Sequence, residues 1–275
     1  MVQRQLRVLV FGAHPDDCDI KAGGIAILYA QQGHRVQFVS VTNGDAGHHE
    51  MGGAALAQRR REEARRAGEV AGIEYITLDN HDGELEPTLE NRKKLIRIIR
   101  DFRPDLILTH RPNDYHPDHR YTSILVQDSA YMVTVPNICA DVRHLDRNPV
   151  IAYLSDTFEK PAPFRATVAV DIDAVISRKI DMLHCHESQV YEWLPYNGGY
   201  LSEVPEGEGE RRRWLEKRWF ARSDAERWRD VLVRLYGEEK GRAIRFAEAF
   251  EPCEYGARLG DQNLRALFPF FPGAA

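Results

Sequence analysis

Strand-like and helix-like runs alternate along this chain, and that alternation leaves few architectures open. "RVLVF" (7–11) is an apolar, β-branched run of strand length. A helical stretch follows from about Ala22 to Gln32, with Gly33 as its stop. "RVQFVSVT" (35–42), "EYITL" (74–78), "DLILTH" (105–110), "PVIAYL" (149–154) and "ATVAVDI" (166–172) read as further strands. "AQRRREEARRAGEVAG" (57–72), "TLENRKKLIRIIRDF" (88–102) and "DAVISRKIDMLHCHESQ" (173–189) read as helices, the second with Leu95, Ile98, Ile99 and Phe102 on one face. This spacing predicts a Rossmann-like, doubly wound α/β fold, a mostly parallel sheet with helices on both faces. Right-handed crossovers place strand one beside strand four, and a ligand then binds at that switch point, outside the carboxyl ends of the strands.

Two polar motifs fall at that place. His14-Pro15-Asp16-Asp17 follows the first strand, and His116-Pro117-Asp118-His119 follows the fourth soon after. Two histidines and a carboxylate suit a catalytic zinc whose fourth position is open to water. His14 and Asp17, three residues apart, can be aimed at one point by a tight turn, and His119 is the best-placed third ligand. Asp16 is then free to act as general base on a water whose pKa the metal lowers. His116, if protonated, can stabilise an oxyanion or give a proton to a leaving amine. Asp118 can orient His116, or equally serve as the outer partner of His119. A magnesium phosphohydrolase fits less well, because magnesium prefers oxygen ligands. A dinucleotide site fits poorly, because acids replace the glycine fingerprint after strand one.

At 275 residues with 43% hydrophobic and 29% charged content, the chain reads as one domain, with a core of about 5–190 and a C-terminal elaboration of about 191–275. A net charge of -5 without a basic block argues against nucleic acid as a partner. No apolar run approaches a membrane span, and the N-terminus carries no secretory pattern, so the expected location is the cytoplasm. Cys18, Cys139, Cys185 and Cys253 form no CxxC pair and read as reduced structural thiols, with Cys18 alone near the chemistry. The charged stretch 204–241 reads as one or two solvated helices anchored by Trp214, Trp219 and Trp228, with a lid or an oligomer contact as the sharper alternative. His48 and His49 read as an exposed polar loop that can border the ligand.

"AHPDD" (13–17), "AGG" (22–24), "VTNGDAG" (41–47), "RRREEARRAGEVAG" (59–72), "HPDH" (116–119) and "HESQ" (186–189) occur in the order of one known family. In these motifs, over roughly its first 190 residues, the chain resembles the PIG-L/LmbE-like zinc-dependent N-acetylglucosamine deacetylases. Cys18 and Asp19, where many members have glutamate directly after HPDD, resemble the branch of bacillithiol-pathway and diacetylchitobiose deacetylases. The resemblance implies zinc held by His14, Asp17 and His119, with Asp16 as base and His116 supporting the tetrahedral intermediate, tuned by Asp118. It also implies contacts to an amino-sugar substrate from Arg60, His186 and Gln189, and a homo-oligomer. Asp114 stands where some thiol-pathway members have tyrosine, with Tyr115 adjacent to His116. The remaining readings are an amidase on another amide, such as a thiol conjugate, and a non-catalytic sugar- or metal-binding module.

Overall fold

The structure is a computed structural model that describes residues 4–272. Its seven strands are β1 (Arg7–Gly12), β2 (Arg35–Thr42), β3 (Glu74–Asn80), β4 (Leu106–Thr109), β5 (Val150–Leu154), β6 (Val168–Asp171) and β7 (Ala247–Pro252). They form one sheet in the order β3-β2-β1-β4-β5-β7-β6. Strands β3, β2, β1, β4 and β5 run parallel, and β7 is antiparallel to both of its neighbours. The doubly wound α/β expectation holds, and β1 does lie beside β4.

Burial on both faces explains the continuous apolar run of β1. Val8 and Val10 point into one core, against Ile25 and Ala26, while Leu9 and Phe11 point into the other, against Leu95 and Ile99. The helices that cover the two faces are α1 (Asp17–Gln31), α2 (Gly53–Ala71), α3 (Leu89–Phe102), α4 (Pro117–Met132) and α5 (Ile176–His184). Beyond them come α6 (Leu194–Asn197), α7 (Glu208–Arg222), α8 (Arg229–Tyr236), α9 (Glu238–Ala243) and α10 (Asp261–Leu267).

Several boundaries differ from the sequence reading, each for a local reason. Helix α1 starts at Asp17, five residues early, so Asp17 and Asp19 sit in its first turn, where the helix dipole favours acids. Helix α4 is absent from the sequence reading because its buried face carries Thr122, Ser123 and Ser129 among the apolar residues. Helix α5 stops at His184, and "SQVYEW" (188–193) forms a π-helical turn instead. Strand β7 was not anticipated either. It brings the C-terminal third into the sheet, between β5 and β6.

A buried ion pair fastens β7 to α1. Lys179 Nζ lies 2.7 Å from Glu248 Oε1 and donates to Ile20 O at 2.9 Å. Glu248 accepts from the backbone nitrogens of Gly24 and Ile25 at 2.8 and 2.7 Å. A Cβ on Gly24 would stand 2.8 Å from Ile172 Cγ2 and 3.0 Å from Glu248 Oε1, so this close approach requires glycine. The tryptophans anchor the C-terminal helices as expected. Trp219 is buried with Ile180, Leu183 and Leu215; Trp214 packs against the same cluster and Trp228 against the main core.

Candidate active site

The loops after β1, β2, β3 and β4 open at one edge of the sheet and line a cavity of about 950 Å³. At its floor three atoms form a near-equilateral triangle. His14 Nδ1 lies 3.5 Å from Asp17 Oδ2, His119 Nε2 lies 3.4 Å from the same oxygen, and the two nitrogens are 3.3 Å apart. A tetrahedral ion with ligands at about 2.0–2.1 Å needs edges of about 3.3–3.4 Å, so the set fits a four-coordinate zinc-type ion. The outward nitrogen of His14 is held as a metal-ligating histidine requires, and that of His119 stands beside a carboxylate. His14 Nε2 is 3.0 Å from Asp82 Oδ1 and 3.1 Å from Asp118 Oδ2, and His119 Nδ1 is 3.1 Å from Asp114 Oδ1. Wider groupings of ligand atoms, His14–His116–His119 and Asp17–His110–His119, surround the same point.

Local structure positions each group. Asp17 Oδ2 accepts from the backbone nitrogens of Ala13 and His14 at 3.0 and 2.8 Å, which closes the turn between β1 and α1. Burial alone would push the Asp17 carboxyl up, but the surrounding histidines His119, His110 and His14 bring it well below its ordinary value. Asp16 is buried beside it. Its carboxyl is raised, first by burial, with Arg60 pulling it back down and Asp17 pushing it up. A buried carboxylate with a raised pKa suits a general base.

His116 is the N-cap of α4, and its Nδ1 accepts from Asp118 N at 3.2 Å. Burial and the neighbouring His14 and His119 lower its pKa. That direction favours the neutral ring over the imidazolium considered from sequence, and with Nδ1 accepting from Asp118 N the proton of the neutral ring sits on Nε2. Asp118 also departs from expectation. It contacts His14 and accepts from Gly83 N at 2.7 Å, while His116 Nδ1 is 4.0 Å away.

Of the three expected substrate contacts, Arg60 and Gln189 line the cavity and His186 does not. Arg60 is 2% exposed; its guanidinium donates to Asp16 Oδ1 at 3.3 Å and to Gly44 O at 3.1 Å, and reaches Asp82 Oδ2 at 3.5 Å. It forms the wall behind Asp16, already committed to protein partners. Gly44 makes room for it: a Cβ there would lie 2.6 Å from Arg60 Nη1, and φ is +72°. His186 is fully buried below the floor, 3.3 Å from Asp19 Oδ2, and does not line the cavity. Gln189 does line it, but its amide nitrogen donates to Gly47 O and Ser188 Oγ at 3.0 and 3.1 Å.

His48 and His49 brace a loop instead of bordering the cavity. His48 Nε2 meets Glu192 Oε2 at 2.8 Å, and His49 stacks on Tyr196 at 4.1 Å. Cys18 is buried, its thiol pushed well up by burial, and is therefore inert.

Sequence reasoning passed over two site residues, His110 and Asp82, and gave a third, Asp114, no role. His110 stacks on His119 at 4.2 Å and lies 3.3 Å from Asp17 Oδ2. It directly follows β4, and that position was the available signal. Asp82 lies in the loop after β3, at the same sheet edge, and Asp114 is two residues before His116.

Residues 9–130 match the family described as PIG-L: GlcNAc-PI de-N-acetylase. The diacetylchitobiose deacetylase of Thermococcus kodakarensis is 34% identical over 203 residues, which cover 69% of this chain and 74% of that protein. The 4-oxalmesaconate hydratase of Pseudomonas putida is 26% identical over 200 residues, 70% of this chain and 77% of that protein. The solved N,N'-diacetylchitobiose deacetylase from Pyrococcus horikoshii, complexed with its inhibitor MPG, superposes with a TM-score of 0.65 at 25% identity, covering 90% of this chain and 83% of that one.

Proposed function

This chain belongs to the PIG-L de-N-acetylase family and is a metal-dependent deacetylase, and on that premise we propose that it removes acetyl from N-acetylglucosamine or a conjugate of it, with zinc as its metal. The observation that carries the reading is the triangle of His14 Nδ1, Asp17 Oδ2 and His119 Nε2, backed by Asp82, Asp118 and Asp114 on the outward nitrogens. An ion held there would acidify a water and polarise the amide carbonyl.

This chain's own residues do the rest. Asp16, oriented by Arg60, takes the proton of the attacking water. His116, with Nδ1 occupied by Asp118 N, presents Nε2–H to the carbonyl oxygen as it gains negative charge. Asp16 then returns the proton to the departing nitrogen, so that acetate and a free amine result. His110, packed flat against His119, fixes the orientation of that ring. Arg60 acts through Asp16 in this reading, and His186 lies beneath the site instead of against the sugar.

We also propose a cytoplasmic location, which four free cysteines support because they suit a reducing compartment. No helix among the described residues is long and apolar enough to cross a membrane. Self-association follows from the resemblance alone; sedimentation velocity tests it, and a single species of 31.5 kDa would refute it.

The test of the reaction is to incubate zinc-loaded protein with N-acetylglucosamine, diacetylchitobiose and an inositol conjugate, and to measure acetate and free amine. Acetate release that chelation abolishes and zinc restores is expected. No acetate from any substrate, with stoichiometric zinc bound, overturns the reading. Hydration of a substrate, as the hydratase relative's name states, would replace it.

A further inference from the structure

The cavity extends past the proposed metal corner into an arm between α1, the segment after β5 and the C-terminal helices, where Lys21, Phe158, Trp219, Arg227 and Trp228 line it. We propose that this arm receives an anionic substituent of the substrate, held between Lys21 Nζ and the Arg227 guanidinium. The proposal rests on the deacetylase reading and adds the charge class of the group attached to the amino sugar.

Charge pairing in the cavity carries the argument. Every other cation on its wall has a carboxylate partner. Arg60 meets Asp16 and Asp82 at 3.3 and 3.5 Å, and Lys179 meets Glu248 at 2.7 Å. Among the described residues, neither Lys21 nor Arg227 has a carboxylate oxygen within 4.0 Å. The acids of the arm are engaged elsewhere. Asp156 accepts both Arg111 donors, at 2.7 and 3.0 Å. Asp224 accepts from Glu226 N at 2.9 Å as a helix cap. Asp114 lies 3.1 Å from His119 Nδ1.

The two cations donate to consecutive carbonyls of one segment and have donors to spare. Lys21 donates to Ser155 O at 2.9 Å, and Arg227 donates to the next carbonyl, Asp156 O. Each has one protein acceptor, against three donor hydrogens on an ammonium and five on a guanidinium. The Arg227 guanidinium is held over the Trp228 ring at 4.4 Å, which fixes its plane. Lys21 stands one helical turn after Asp17 on α1, so its amine faces the same cavity as the metal corner. Burial lowers its pKa. Asp17, Asp114 and Asp156 oppose that shift without touching the ammonium, and a ligand's anion in direct contact would relieve the burial further. In an acid-rich site this arm is the place where a negative group is attracted.

The test uses zinc-loaded protein at low ionic strength and three substrates of one anomeric series: methyl N-acetylglucosaminide, carboxymethyl N-acetylglucosaminide and N-acetylglucosamine 1-phosphate. The expected result is a kcat/KM at least tenfold higher for a charged substrate than for the methyl glycoside. The stronger of the two identifies carboxylate or phosphate as the group. Lys21→Met and Arg227→Met should each lower the charged-to-neutral ratio about tenfold, mainly through KM, and Lys21→Arg should restore most of it. Equal rates on all three substrates, or a ratio that neither substitution moves, overturns the proposal.

If no N-acetyl sugar is cleaved, the deacetylase reading fails separately and the arm is still testable. Glycolate and inorganic phosphate are then titrated calorimetrically into the same zinc-loaded protein. Binding that both Met variants weaken supports the arm. Binding that is absent, or unchanged in both variants as binding at the metal would be, overturns it.

Discussion

Asp118 Oδ2 lies 3.1 Å from His14 Nε2, although the histidine two residues before it, His116, keeps its Nδ1 4.0 Å away. The carboxylate of one motif thus orients the imidazole of the other. His14 presents Nδ1 to the metal corner because Asp118 and Asp82 occupy the opposite nitrogen.

Replacing that carboxylate therefore acts on the metal. Asp118→Asn should weaken zinc affinity roughly 10- to 100-fold, with kcat at saturating zinc reduced less than affinity. Competition with a chromogenic chelator measures it. Wild-type affinity in the variant would mean that Asp118 does not position His14.

The metal corner itself is tested by His119→Ala, which removes one vertex of the triangle. Zinc content after dialysis should fall from one per chain to a small fraction, with the far-ultraviolet circular dichroism unchanged. Full occupancy in this variant would refute His119 as a ligand.

Arg60 separates positioning from substrate binding. Arg60→Met should lower kcat about tenfold or more and leave KM nearly unchanged, because the guanidinium contacts Asp16 and protein carbonyls. The pH profile gives a second readout. Asp16 works ionised, so kcat/KM falls as pH drops through its pKa. Burial already raises that pKa and Arg60 holds it down, so removing Arg60 moves the acid limb to higher pH. A KM effect with an unmoved limb would return Arg60 to the substrate.

Much of this was legible in the sequence because the signals were local. An apolar run marks β1 whatever surrounds it, and two histidine–aspartate motifs at strand ends imply convergence once β1 and β4 are neighbours. Contacts set by the paths of distant loops were not legible. Nothing in "NHDGE" shows that Asp82 reaches His14, or that the loop after β3 supplies the Gly83 nitrogen to Asp118. Arg60 and His186 carry family motifs, and motifs do not report burial. Strand β7 escaped because "AEAFEP" contains two glutamates, and the buried partner of the first, Lys179, lies 69 residues away in the chain.

That pair makes a prediction about the whole chain, which we expect to fold as one unit. Lys179→Met leaves Glu248 buried with its charge uncompensated, and should cost about 3–5 kcal/mol. Denaturant unfolding should show a single transition at lower midpoint. A C-terminal segment that melts separately from residues 5–190 would contradict the single domain.

The most direct measurement takes zinc content and acetate release from the same sample of Asp16→Asn. The account predicts one zinc per chain, wild-type stability within about 1 kcal/mol, and a rate at least 10²-fold lower. A rate near wild type with zinc in place would contradict Asp16 as the base, and with it the mechanism built on this corner of the cavity.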